Sequence, residues 1–438
     1  MNPFGRWAFI LSFLVVFAPL AHGATPNKTM SQEVDRACAA VESKVIHWRR
    51  DVHEHPELGN REHRTAKLVA DHLRSLGIVV KTGVAHTGVV GILRGGKPGG
   101  VVALRADRDA LPVTEEVDLP FASKARAEYN SREVGVMHAC GHDVHVAILM
   151  GVAEVLAGMR ETIPGTVKFL FQPAEEGPPE GEEGGASLMV KEGALENPKP
   201  DAIFGLHVTS RVEAGQVGYR AEGLLAAVDS LKITVRGRQT HGAYPWLGVD
   251  PIVVASQIVL GLQTIPSRQL DSTIAPSIVT IGSIHGGVRG NIIPDEVEMV
   301  GTLRALDASM RGEIHQRVRK TAESIAESAG AKATVTISEG YPITYNDPAL
   351  TAKMVPTLVR VAGEKNTLLS NPVLGAEDFS FYQQKVPGLF FWLGGRPKGV
   401  SAEEAPSNHS PRFFVDESGI LLGVRAMTQI TLDFLGNR

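Results

Sequence analysis

The sequence predicts an α/β fold, a mostly parallel sheet covered by helices, interrupted by an inserted α+β unit. Three observations carry this. Apolar strands alternate with amphipathic helices through the first half of the chain. Several of those strands end on polar residues, as open α/β sheets do at their carboxyl edge. From about residue 224 the texture changes to half-exposed alternating strands, and it reverts after about residue 338. A chain of 438 residues, 43% apolar and 21% charged, is long enough for two domains with large cores.

Residues 31–50 read as a helix, followed by the loop His53–Gly59. Glu62–Leu76 is a second amphipathic helix, stopped by Gly77. Strands follow at Ile78–Val84, Gly88–Leu93 and Val101–Ala106, the last delivering Asp107 and Asp109. Val144–Met159 is helical. Thr166–Phe171 is an apolar strand leading into Gln172-Pro173-Ala174-Glu175-Glu176, and Ala202–Leu206 is another that ends at His207. Strands alternating with helices argue for a mostly parallel sheet covered on both faces.

Strands at Asp229–Arg236, Ser277–His285, Glu296–Leu306 and Ala333–Ser338, with helices Pro251–Leu262 and Ser309–Ser328, give the order strand-helix-strand-strand-helix-strand. That order is ferredoxin-like. Helix Pro348–Ala362, strand Leu389–Leu393 and a final helix near Ser418–Leu435 complete the first domain. The expected organisation is 1–23 as a signal peptide, 24–223 and 339–438 as the two parts of a catalytic domain, and 224–338 as the insertion.

The signal peptide rests on Arg6, the apolar run Trp7–Ala21 and the small-residue site Ala21-His22-Gly23. The run is about 15 residues, short of the roughly 20 that span a bilayer. A secreted or periplasmic protein is expected, with no membrane attachment after cleavage. The net charge of −4 leaves no electrostatic footprint for nucleic acid.

The chemistry concentrates in Met137-His138-Ala139-Cys140-Gly141-His142-Asp143-Val144-His145. Cys and His are favoured ligands of zinc-like metals, and the acidic pair Glu175-Glu176 can supply one ligand and one proton acceptor. Adjacent glutamates in an extended segment would point to opposite sides, one to metal and one to water. Cys140 and His142 precede a helix, a setting expected to favour a thiolate. In an exported protein Cys140 could instead pair with Cys38. Its place between two histidines makes metal the better use, and Cys38 reads as a packed residue.

These pieces, with His53-x-x-Pro56-Glu57, Leu104-Arg105-Ala106-Asp107-x-Asp109, Gly205-Leu206-His207, His241-Gly242-Ala243-x-Pro245, Asn291-Ile292-Ile293-Pro294, Gly375-Ala376-Glu377-Asp378-Phe379 and Asn408-His409-Ser410-Pro411, resemble the M20 metallopeptidases. They match its amidohydrolase branch, with hippurate and auxin-conjugate hydrolases, over nearly the whole mature chain. The resemblance implies two divalent ions per subunit held by Cys140, His142, Glu176, His207 and His409, with Glu175 as general base. It implies an oxyanion-stabilising role for His241 and a homodimer formed through the inserted domain. Cys plus His donors point to zinc, manganese, cobalt or nickel. Asp107 and Asp109 would orient ligands rather than bind metal, and His138 and His145 would either support ligands or be structural. Asn291 and Arg304 would take the carboxylate of an amino-acid product.

The expected activity is hydrolysis of N-acyl, including aromatic-acyl, amino acids. Trimming of short peptides from the C-terminus and a non-catalytic ligand-binding role are the alternatives. Two positions depart from the family pattern. Arg108 stands between the aspartates where Met is usual, a charge that could reach the metals, and Trp246 stands after Pro245 where a second His is frequent.

Overall fold

A computed structural model describes residues 28–436. The expected signal peptide lies outside the described residues. Among them, no helix is long and apolar enough to cross a membrane.

The larger sheet has eight strands in the order Val79–Val84, Gly88–Arg94, Pro164–Gln172, Lys97–Asp107, Ala202–Glu213, Gly388–Arg396, Val217–Tyr219 and Thr367–Leu369. Its four central strands are mutually parallel, and antiparallel strands flank them. Side chains alternate between two cores, as the pleat requires. Val102, Leu104, Phe169, Phe204, Leu206 and Phe391 enter one, while Ala103, Leu170, Ile203 and Phe390 enter the other. Helices Lys28–Glu54, His142–Gly158 and Ile420–Gly436 cover the first face. Two short helices, Gly185–Lys191 and Ser380–Gln383, help cover the second. His142–Gly158 is buried nearly all round, the property of a helix wrapped by other elements rather than facing solvent.

The second sheet has the order Ser277–Gly286, Glu296–Ala305, Ala227–Arg236 and Lys332–Glu339, antiparallel throughout. Helices Pro251–Thr264 and Ala308–Ser328 pack on one face through Leu231, Ile233, Val235, Ile258, Met299 and Val318. This is the ferredoxin-like arrangement. Both helices begin at an aspartate whose carboxylate accepts backbone N–H groups, Asp250 and Asp307, which satisfies otherwise orphaned donors.

Two differences from the sequence reading bear on the site. The strand expected to end at His207 continues to Glu213. Its pairing with Lys97–Asp107 stops at Arg105 opposite Gly205, while pairing with Gly388–Arg396 continues through Trp392 opposite His207. His207 is therefore mid-strand, yet beyond the last ladder pair with one neighbour, and that exposes its flank to the site. A polar hairpin, Arg126–Tyr129 with Arg132–Gly135, also occupies a stretch with no predicted element.

Candidate metal centre

Asp107 closes its strand opposite Gln172, so the Asp107–Asp109 and Gln172–Glu176 segments leave the sheet side by side. Cys140 and Gly141 lead into the His142 helix. Gly141 has φ +92, and a Cβ there would lie 2.3 Å from Val208 Cγ1, so only glycine fits. His409 arrives on a separate loop, its N–H donating to Ala139 O at 2.7 Å.

The five expected ligands converge. Cys140, His142 and His207 each place a donor atom within 4.8 Å of the others, and so do Cys140, Glu176 and His409. Cys140 Sγ is 3.3 Å from His207 Nε2 and 3.2 Å from His409 Nε2, and His409 Nε2 is 2.9 Å from Glu176 Oε1. Both Cys38 and Cys140 are free thiols, so the disulfide alternative does not hold.

Hydrogen bonds set which imidazole nitrogen faces inward. His142 Nδ1–H donates to Asp109 O at 2.9 Å, and its Nε2 is buried without a hydrogen-bond partner. His207 Nδ1–H donates to Val208 O at 2.7 Å, turning Nε2 toward Cys140. Backbone or carboxylate partners at the outer nitrogen are what fix a metal-binding tautomer. The orphaned Nε2 and the cluster of S, N and O lone pairs fit a bound cation. His145 is different. Its Nδ1–H donates to Asp107 Oδ1 and its Nε2 accepts Val208 N–H at 2.8 Å, so both nitrogens are committed. The aspartates are committed as well: Asp107 to Arg105 and His145, Asp109 Oδ2 to the Glu176 N–H at 2.9 Å.

The electrostatics are those of a site with surplus negative charge. Burial would lower the His142 pKa, but Asp107 and Asp109 more than offset it and raise the value to about 10. Burial, then Glu176, Glu175 and Asp107, push the Cys140 thiol well above its ordinary range. The expected thiolate is thus not favoured by the helix start alone, because buried carboxylates outweigh it. A cation among the donors reverses that sign. Burial, then Glu377, Glu176 and Asp378, likewise hold Glu175 well above the usual carboxylate range.

The two glutamates do not project to opposite sides of a strand. Ala174 has φ +49, the chain turns there, and His142, Glu175 and Glu176 all bring an atom into one cluster. Glu175 Oε2 is 3.9 Å from His142 Nε2, and its backbone carbonyl accepts Tyr341 O–H at 2.7 Å.

His241 and Asn291 lie together on a small ribbon, Thr240–His241 with Ile292–Ile293, where Gly242 N–H donates to Asn291 O at 2.8 Å. Both are exposed, and His241 contacts Tyr244 rather than the metal donors. Arg304 donates from Nη1 to Leu374 O at 2.7 Å, tying the second sheet to the loop before Glu377. Arg108 does not face the donors: it is buried against Glu62 O and Thr87 Oγ1. Trp246 is exposed beside Tyr244. His53 bonds Asp143 and Glu115, and Glu57 accepts the N–H groups of Arg64 and Thr65.

The sequence reading missed two supports. Buried Arg105 joins Asp107, Gln172, Glu377 and Asp378, a lone charge in an apolar strand that the sequence signals only by its place in the motif with Asp107. Asn408 donates to Cys140 O at 3.0 Å and Val208 O at 3.1 Å and accepts Ser210 N–H at 3.3 Å.

Residues 103–433 match peptidase family M20/M25/M40. The chain is 42% identical over 396 residues to thermostable carboxypeptidase 2 of Saccharolobus solfataricus, covering 90% of this chain and 96% of that one. It is 38% identical over 440 residues to IAA-amino acid hydrolase ILR1-like 4 of Arabidopsis thaliana, covering 99% and 96%. The fold is shared with the Bacillus subtilis YXEP protein, described as a dinuclear metal binding peptidase, at a TM-score of 0.77 and 33% identity over 91% of this chain and 100% of that one. The chain belongs to peptidase family M20/M25/M40, as a metal-dependent hydrolase of amide bonds.

Proposed function

We propose that this protein hydrolyses the amide bond of N-acyl amino acids, aromatic-acyl ones included, at a two-metal site with Glu175 as general base. The observation that carries the reading is the pair of donor triads that share Cys140, with buried Glu175 beside them. Cys140, His142, Glu176, His207 and His409 would hold the ions. When bound, such ions lower the pKa of a coordinated water and polarise the amide carbonyl. Glu175 moves the proton: it accepts it from the attacking water and returns it to the departing nitrogen. Its environment supports that, since burial and then the surrounding carboxylates keep its affinity for a proton high. Asp109 and Asn408 hold Glu176 and Cys140 in place through the backbone.

His241 would stabilise the oxyanion, reaching the donors of a partner subunit, and Asn291 and Arg304 would bind the product carboxylate. Exposed Trp246, Leu247, Leu260, Ile274 and Val288 on that unit support a homodimer interface. Residues 1–23 direct export, and N-terminal sequencing of protein from the periplasm or medium should begin near Ala24.

The test loads the mature protein separately with zinc, manganese, cobalt and nickel. N-acyl amino acids and dipeptides are then assayed by mass spectrometry. Acyl release is expected. Preferential release of C-terminal residues from peptides would favour a carboxypeptidase, the reading suggested by the Saccharolobus relative's name. No cleavage with any metal would leave the ligand-binding reading.

A further inference from the structure

Arg108 is a fully buried charge that the metal donors do not use, and a guanidinium in that setting needs a counter-charge. Its Nη1–H donates to Glu62 O at 3.1 Å and its Nη2–H to Thr87 Oγ1 at 2.9 Å. Having accepted that bond, the Thr87 hydroxyl donates onward to Glu62 Oε2 at 2.6 Å. Glu62 is fully buried as well, and among the carboxylates that act on Arg108 it acts most strongly, ahead of Glu57 and Asp109.

The other carboxylate oxygen reaches the site. Glu62 Oε1 accepts the Ala174 N–H at 2.9 Å. Both oxygens therefore accept, which suits the ionised form, a pure acceptor. Ala174, with φ +49, is the left-handed residue immediately before Glu175. A residue with a Cβ stays in that conformation only where its surroundings hold it there. Gly59 closes on the same turn, since a Cβ there would lie 3.1 Å from Ala174 Cβ.

The two glutamates differ in what secures them. Glu176 has its own anchor, its N–H donating to Asp109 Oδ2 at 2.9 Å. Glu175 is fixed by the turn on one side and by the Tyr341 O–H on its carbonyl on the other. Loosening the turn therefore moves Glu175 more than it moves the metal ligand.

We infer that Arg108 is a positioning residue: through Thr87 and Glu62 it holds the Ala174 turn, and with it the placing of Glu175. The inference rests on the hydrolase reading above for what Glu175 does, but the turn can be followed without turnover.

Arg108→Met is the direct test. Because it strands a buried carboxylate, the charge-free pair Arg108→Met/Glu62→Gln accompanies it; Gln keeps an oxygen for the Ala174 N–H, but an uncharged one. A charged acceptor holds an N–H about twice as strongly as a neutral one. Residue-resolved hydrogen exchange of the metal-loaded protein should show the Ala174 N–H exchanging about tenfold faster in both variants. With an N-acyl amino acid, kcat should fall about tenfold, while KM and metal content stay within twofold of wild type. Arg108→Lys keeps a cation beside Glu62 and should bring exchange and kcat back to within about threefold of wild type. Ala174 exchange within twofold of wild type in the charge-free pair overturns the assignment, and so does faster exchange with unchanged kcat. Loss of metal in step with activity also overturns it, because that is the mark of a merely structural role. If the wild type hydrolyses nothing with any metal, the hydrolase reading fails by itself, and the exchange rates still decide whether Arg108 and Glu62 hold the turn.

Discussion

Asn408→Ala removes the clamp that joins three segments of the metal centre. The amide donates to Cys140 O and Val208 O and accepts Ser210 N–H. Val208 O keeps His207 Nδ1–H as a partner, whereas Cys140 O loses its side-chain donor. Each hydrogen bond contributes about 1 kcal/mol net, and a buried group left unpaired costs about 1–3 kcal/mol. The summed loss is about 3 kcal/mol. Part of it falls on the geometry of Cys140, so metal affinity should drop about 10- to 100-fold, as for other residues that orient ligands. Urea unfolding of the metal-free protein measures the first term, and competition with a chromogenic chelator measures the second. Asn408→Asp keeps the acceptor and loses both donors, so it should resemble Ala in metal affinity. Unchanged unfolding and unchanged affinity in Asn408→Ala would refute the idea that this amide sets the site.

Gly141→Ala should express poorly or lose metal, because a Cβ 2.3 Å from Val208 Cγ1 at φ +92 forces the backbone to move; native-like yield and metal content would count against it. His138 is buried with neither ring nitrogen hydrogen-bonded, and burial lowers its pKa to about 3. Its folded pKa is below the unfolded one, so stability is full above about pH 6.5 and is lost as pH falls toward about 3, with a slope of up to about 1.4 kcal/mol per pH unit. His138→Leu should therefore show a shallower fall in urea midpoint between pH 7 and pH 5 than wild type, and parallel curves would reject the assignment. Cys140→Ala should lose metal measured by inductively coupled plasma mass spectrometry, and full occupancy would remove the shared ligand from the account.

The regular elements were legible because burial writes a period. Strand Pro164–Gln172 and helix His142–Gly158 carry long apolar runs, and the ferredoxin-like order follows from alternation in strands such as Ala227–Arg236. The hairpin Arg126–Gly135 carried no such signal, since its four-residue strands are largely exposed. The extent of the His207 strand was hidden because it depends on which neighbour keeps pairing with it. At the site, Cys140, His142 and the glutamate pair stood out by local density. His409 was legible only through the family resemblance, and its loop position explains why. The orientation of Glu175 and Glu176 was misread because one left-handed residue, Ala174, turns the chain. Arg105 and its polar partners come from three distant segments, and a single sequence does not record that they meet.

The central claim is that Glu175 moves the proton while its neighbours hold the metals. The direct measurement is single-turnover hydrolysis of an N-acyl amino acid by Glu175→Gln, with metal content determined on the same sample. Gln keeps the size and loses the proton affinity, so wild-type metal occupancy with hydrolysis lowered by roughly 10²-fold or more is predicted. Wild-type turnover at full occupancy would contradict the account.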